Sequence, residues 1–267
     1  MHTGAEFLTD IFRAVAVEFQ IKLFTFEWFK QKDMKQVLLP NTDKYSLAFY
    51  LALEEYVAKV LDCEAFFVWR VDPTVIIGRN QVLENEVNLE YCREHKVKVV
   101  RRKSGGGCVY SDMGNIMISY VSDRGEVEVV FDRYMSALAA SLCELGLPAV
   151  KSTRNDILVD GRKVSGNAFQ QLPGNSIVHG TLLYSTDLEA LTEAIRPPVE
   201  KLQRHGVESV RQRVVNLQEY SSLHPVLQSP ESLVKYILEK FTDGTIHLTQ
   251  QDVDAVMEMS AGYPIEF

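Results

Sequence analysis

The chain has 267 residues, 46% of them hydrophobic and 24% charged, with a formal net charge of −8. That length and mixture suit one large domain with a substantial core, and the acidic balance argues against nucleic acid or an anionic membrane as the main partner. No long uncharged apolar run predicts a membrane-spanning helix. The four cysteines (Cys63, Cys92, Cys108 and Cys143) show neither a CxxC spacing nor company from clustered histidines, so reduced thiols of a cytoplasmic protein are expected rather than a zinc site.

The first thirty-three residues carry Glu6, Asp10, Arg13, Glu18 and Lys22, which is unlike a signal peptide, and alternate in polarity from Val17. We read residues 1–33 as a peripheral extension whose deletion is expected to leave an active protein, and 34–267 as the main domain. A strand is predicted over 36–39, then a helix over 46–60. Two apolar runs, 65–70 and 74–77, are separated by Asp72-Pro73 and read as a hairpin. Residues 84–96 have helical spacing. A strand over 97–101 runs into a glycine-rich turn, and another over 116–121 leaves it. An amphipathic helix over 131–145 stops at Gly146 and Pro148. Strands follow over 156–159, 163–167 and 176–184, with Asp160-Gly161 as a tight hairpin turn, and helices over 187–195 and 230–241. Hairpins outnumber strand–helix–strand units, so the predicted class is α+β with a mixed, largely antiparallel sheet flanked by helices.

Three stretches carry chemistry. The first is 101-RRKSGGGCVYSDMGN-115. Consecutive glycines are costly in chain entropy, and no Gly-Lys-Ser/Thr or helix start follows them, so this is not a P-loop. It reads either as a wide hairpin with solvated arginines or as a backbone cradle for an anion, with Arg101 and Arg102 supplying charge at its entrance. The second is 154-RNDILVDGRKVSGNAFQ-170, where hairpin pairing brings Asp156 near Lys163. Lys163 there is either a fixed cation for a phosphoanhydride or a surface lysine on a strand edge. The third, 179-HGTLLY-184, gives His179 a supporting role.

Together these stretches resemble the lipoate–protein ligase family, in order and spacing. The resemblance extends upstream to 47-LAFYLALEEYV-57 and 73-PTVIIGRNQ-81, and downstream to 206-GVESVRQRVVNL-217. It implies a class II biotin/lipoyl ligase-like catalytic domain that activates lipoate with ATP and Mg²⁺ as lipoyl-AMP. The lipoyl group then passes to a lysine of an apo lipoyl domain, on E2 subunits of 2-oxoacid dehydrogenases or the glycine-cleavage H protein. By position, Lys163 is the implied catalytic residue. Substrate and ATP contacts are implied at Arg102, Ser104, Gly105, Gly106, Gly107, Cys108, Val109, Tyr110, Asn115, Asp156, Gly166, Ala168, His179, Gly180 and Thr181. Asp156 is the implied Mg²⁺ ligand, and residues 196–213 match a loop that closes over the adenylate.

The chain departs from the family at Ser111, where many members have His, and at Cys108, where many have Ala. Cys108 reads as a small buried wall residue, with a reactive thiolate beside the arginines as the other reading. Residues 245–267 are too few for the accessory domain of full-length bacterial members, which implies a short form and a separate accessory protein as a further partner. The rival activity is an ATP-independent octanoyl or lipoyl transferase working through a cysteine thioester. Residues 151–154 offer no cysteine for it, which leaves Cys108. A biotin ligase would announce itself with a GRGR-type loop where SGGG stands, and a binding module without turnover is the non-enzymatic rival.

Overall fold

The computed structural model describes residues 34–61, 63–122, 126–195 and 213–265. The N-terminal extension and almost all of the 196–213 loop lie outside the described residues. Among those described, the strands are β1 (Lys35–Leu38), β2 (Ala65–Trp69), β3 (Thr74–Ile77), β4 (Lys98–Arg101), β5 (Val109–Ser111), β6 (Asn115–Ser122), β7 (Ala149–Lys151), β8 (Asp156–Val159), β9 (Arg162–Gln171), β10 (Ser176–Leu183) and β11 (Gly244–His247). The helices are α1 (Leu47–Tyr56), α2 (Leu83–Glu86), α3 (Leu89–Glu94), α4 (Val127–Glu144), α5 (Leu188–Ala194), α6 (Pro230–Phe241) and α7 (Gln250–Ser260). No described helix is long and apolar enough to cross a membrane.

The large sheet has the order β11-β1-β2-β6-β10-β9-β8-β7, parallel at β11/β1/β2 and antiparallel elsewhere. Its central strands β6 and β10 are buried along their whole length. Their faces divide by parity: Ile116, Ile118, Val178 and Leu182 pack with Tyr134 and Leu138 of α4, whereas Met117, Val121 and Ile177 pack with α1. A near-continuous apolar run is what a strand covered on both sides requires. A smaller sheet, β4-β3-β5, carries the glycine loop between β4 and β5.

Three local expectations are corrected. The runs at 65–70 and 74–77 do not form a hairpin, because β2 pairs with β1 and β6 while β3 belongs to the small sheet. Proline allows the turn but does not decide the pairing, and the chain crosses there from one sheet to the other. The glycines lead first into the short β5, and β4 and β5 flank β3 instead of pairing with each other. The helical segment 84–96 is broken at Val87, which is extended and bridges Ile195, after which Asn88 caps α3 by accepting from the Tyr91 N–H. Residues beyond 244 are built into the fold: β11 extends the large sheet, α7 contributes Val253 and Val256 to the α1 core, and Ile265 bridges β4 at Val100. Helix α1 starts at the Ser46 cap and continues in a wider turn over Val57–Leu61.

Candidate active site

The β8–β9 hairpin turns at Asp160-Gly161, with φ of 50° and 75°, the left-handed pair that the two-residue turn demands. Farther along, the register shifts by one residue: Leu158 faces Lys163, but Ile157 faces Ser165. The bulged residue Val164 and its neighbour Ser165 are both fully buried. The bulge therefore lets Lys163 share a face with Gly166, three residues away, where regular alternation would oppose them. Lys163 Nζ reaches Asp156 Oδ1 at 2.7 Å, close as an ion pair without being aligned as a hydrogen bond.

The glycine loop is held from below by Arg102, which is 5% exposed. Its Nε donates to Ser104 Oγ and to the Gly105 carbonyl at 3.1 Å, Nη2 donates to the Gly105 and Gly107 carbonyls at 2.7 Å, and Nη1 to the Ile76 carbonyl at 3.3 Å. Burial lowers its pKa to about 10, and these acceptors offset the cost of burying the charge. Arg101 is likewise tied to the Gly78 and Gln81 carbonyls. The arginines fasten the loop. In a trans peptide C=O and N–H point oppositely, so drawing back the Gly105 and Gly107 carbonyls turns the next N–H groups away from Arg102. Gly106 adopts φ +92°, and a β-carbon on Gly78 would meet the Gly106 oxygen at 2.3 Å, so glycine is needed on both sides of this contact.

A buried polar chain ties this loop to the large sheet. Trp69 Nε1 donates to Ser119 Oγ at 2.8 Å, and Ser119 donates to Glu54 Oε1 at 2.6 Å. Glu54 Oε2 stands 2.9 Å from His179 Nδ1, and His179 Nε2 stands 2.7 Å from Ser104 Oγ. With Nδ1 donating to the carboxylate, Nε2 is left to accept from the serine, which in turn accepts from Arg102. His179 thus acts on the loop through Ser104.

Two openings meet here. A narrow cavity of about 80 Å³ is walled by the apolar side chains of Leu51, Trp69, Ile76, Val109 and Met117, and by Lys163. Arg102, Gly106, Gly107, Cys108, Gly166, Ala168, His179, Gly180 and Thr181 complete the sequence-predicted part of its lining. A wider cleft of about 600 Å³ includes Ser104 and Gly105, and Gly106, Asn155, Asn167 and Ala168 line both it and the cavity. Asp156 touches the site through Lys163. Tyr110 and Asn115 lie apart from both openings: Tyr110 is in the core under α3 and α5, and its carbonyl accepts from Asn115 Nδ2 at 3.2 Å. The Ser111 Oγ and Asn115 Oδ1 atoms beside it are buried without a partner.

The four cysteines are free. Burial pushes the Cys108 thiol up to about 12, Glu86 adds to the rise, and the opposing pull of Arg102 does not offset them. Cys108 lines the cavity, and its raised pKa favours the wall residue over the reactive thiolate. Glu54, Asn155 and Asn167 escaped the sequence reading. Glu54 had a signal: it follows Tyr50 and Leu51 on the apolar side of α1, where a carboxylate needs a buried partner. Asn167 accounts for Gly180, whose β-carbon would fall 1.9 Å from Asn167 Oδ1.

No group of three or more His, Cys, Asp or Glu among the described residues is arranged to hold a metal ion. A Mg²⁺ that arrives with phosphates needs only one or two carboxylates. Asp156 can offer one, but its Oδ1 is engaged by the Lys163 ammonium at 2.7 Å, which leaves only Oδ2 for an ion.

Residues 46–242 match the lipoyl protein ligase A/B catalytic domain. Over 217 residues, 79% of this chain, it is 36% identical to the lipoate-protein ligase LplJ of Bacillus subtilis and covers 66% of that protein. It is also 36% identical to the lipoate–protein ligase 1 of Staphylococcus aureus, of which it covers 65%. The chain therefore spans just under two thirds of the length of these relatives. Among solved structures, the bi-partite lipoate protein ligase of Thermoplasma acidophilum superposes with a TM-score of 0.69 at 26% identity, covering 86% of this chain and 92% of that one.

Proposed function

The chain belongs to the lipoyl protein ligase A/B catalytic-domain family, and from that premise we propose that it is an ATP-dependent lipoate–protein ligase. The observation that carries this reading is the narrow apolar cavity that also presents a lysine held by an acid. An acyl chain gains about 0.8 kcal/mol for each buried methylene, and the Lys163 ammonium complements its carboxylate.

In the first half-reaction the lipoate carboxylate attacks the α-phosphorus of ATP and pyrophosphate leaves. Two anions must approach, so catalysis rests on fixed cations and backbone donors. Lys163 supplies the charge, the outward N–H groups of the glycine loop supply the donors, and Asp156 keeps the lysine in place. Asp156 is also the residue that would hold Mg²⁺, whose chemistry is to neutralise phosphate charge. In the second half-reaction an acceptor amine attacks the acyl carbonyl, AMP leaves, and Lys163 stabilises the developing oxyanion.

The archaeal relative is described as bi-partite and with its E2 lipoyl domain. That supports apo lipoyl domains as acceptors here, and a separate accessory protein as a further partner. Mass spectrometry of an apo lipoyl domain, incubated with the protein and lipoate with and without ATP-Mg²⁺, tests the reading. A lipoyl mass gain that requires ATP is the expected result. Modification only from an acylated carrier, without ATP, would overturn it in favour of a transferase.

A further inference from the structure

The wide cleft is cationic in a protein of net charge −8. Among the described residues that line it are Arg79, Lys103 and Arg154, and no carboxylate. Lys103 is paired with Glu55 at 2.5 Å, a carboxylate it shares with Lys59. Arg79 and Arg154 are exposed, and no described carboxylate pairs with either. They stand on opposite walls: Arg79 follows β3 in the small sheet, with its N–H bonded to the Ser104 carbonyl, and Arg154 lies in the β7–β8 turn of the large sheet. Between them Phe169, 41% exposed, packs against Phe131 with ring centroids 5.3 Å apart.

We propose that this rim is the docking face for the acceptor, and that it fits an acidic surface on the protein domain that carries the acceptor lysine. The proposal rests on the ligase reading above. A lysine side chain is only four methylenes long, so the backbone presenting it must come up to the mouth of the cavity. The cleft adjoins that cavity, with Gly106, Asn155, Asn167 and Ala168 lining both. An exposed aromatic ring flanked by arginines is the composition of a protein–protein contact. Rim cations that pair with no described carboxylate, in a protein of net charge −8, steer an acidic partner to this place. A nucleoside triphosphate is the competing occupant, and it would use the same arginines for its phosphates.

The test is the double variant R79E/R154E, with R79A/R154A as the milder form and a thermal melt to show that each folds. Lipoate-dependent ATP–pyrophosphate exchange reads the first half-reaction. Transfer to an apo lipoyl domain at rising acceptor concentration reads the second, and transfer to hydroxylamine reads it without docking. Binding of a fluorescent apo lipoyl domain, with no ATP present, reads docking alone. The expected result is exchange and hydroxylamine transfer within about twofold of the unmodified protein, with KM and Kd for the domain raised at least about tenfold. Salt is expected to weaken the domain's binding to the unmodified protein much more than to the variant. A raised KM for ATP with the acceptor KM unchanged would overturn the proposal and give the rim to the nucleotide. An unchanged Kd for the domain would overturn it and put docking elsewhere. Absence of any exchange in the unmodified protein, with charge-dependent domain binding intact, would overturn the ligase reading and leave the docking face standing.

Discussion

Lys163 lies across Gly166: a β-carbon on Gly166 would stand 2.5 Å from Lys163 Nζ and 2.6 Å from its Cε. The missing side chain is what lets the ammonium reach Asp156 along the strand surface. In Gly166→Ala the obstacle is the far end of a flexible side chain, so the fold is expected to survive with its melting temperature within about 2 °C. Displacing Lys163 by an ångström is expected to slow lipoate-dependent pyrophosphate exchange about 100-fold. Normal exchange in G166A would show that the lysine's path does not matter.

Lys163→Ala removes the charge that the two anions share and is expected to abolish adenylate formation. Its 36% exposed side chain makes the loss of stability small. Circular dichroism and exchange on the same sample check both halves of that statement, and near-normal activity would remove Lys163 from the mechanism.

Cys108, with its thiol pushed up to about 12 by burial, is expected to stay protonated at pH 8. Iodoacetamide at that pH is expected to leave it unlabelled in the folded protein and to label it after denaturation. Cys108→Ala is expected to keep transfer activity within a few-fold. Rapid labelling of the native protein, or loss of transfer in C108A, would revive the thioester route.

Glu55 gives a pH dependence of known sign. Burial alone would raise its pKa, but bonds from Lys103, Lys59 and Tyr263 outweigh burial and hold it below the ordinary 4.5. A carboxylate whose folded pKa is depressed stabilises the fold fully above its unfolded value, and that contribution fades as pH falls through the folded one. Glu55→Gln is therefore expected to cost about 2 kcal/mol near neutrality, and to converge with the unmodified protein below pH 4.5 as the carboxylate protonates. A difference that grows in acid would refute this assignment.

His179→Ala breaks the link from Glu54 to Ser104 without touching Lys163. If His179 acts by holding the loop, KM for lipoate is expected to rise about tenfold while the variant with Lys163 intact keeps most of its kcat at saturation. A collapse of kcat with KM unchanged would make it a participant in the chemistry.

The chemistry-bearing hairpin was legible because its signals are local. Asp160-Gly161 fixes the turn, and the turn fixes which strands pair, so Asp156 and Lys163 could be brought together on paper. The small sheet was not legible. Nothing between Asp72 and Thr74 announces that the chain leaves one sheet for another, because strand partners are chosen by distant surfaces. What holds the arginines was hidden for a related reason. Their charge is visible in the sequence, whereas the carbonyls that absorb it exist only once Gly105 and Gly107 have folded over Arg102. The role of Tyr263, whose hydroxyl bonds to Glu55 and to the Leu51 carbonyl, depends on a contact across the length of the chain and leaves no local trace.

The bulge at Val164 makes the position of the lysine a matter of counting. Chemical identity at 163 can be preserved and the site still lost: if the four residues 163–166 paired without the bulge, strict alternation would send the ammonium to the side of the strand opposite Gly166. Anyone grafting this hairpin onto another scaffold, or aligning it with a distant sequence, must therefore carry over the odd spacing between lysine and glycine as part of the motif.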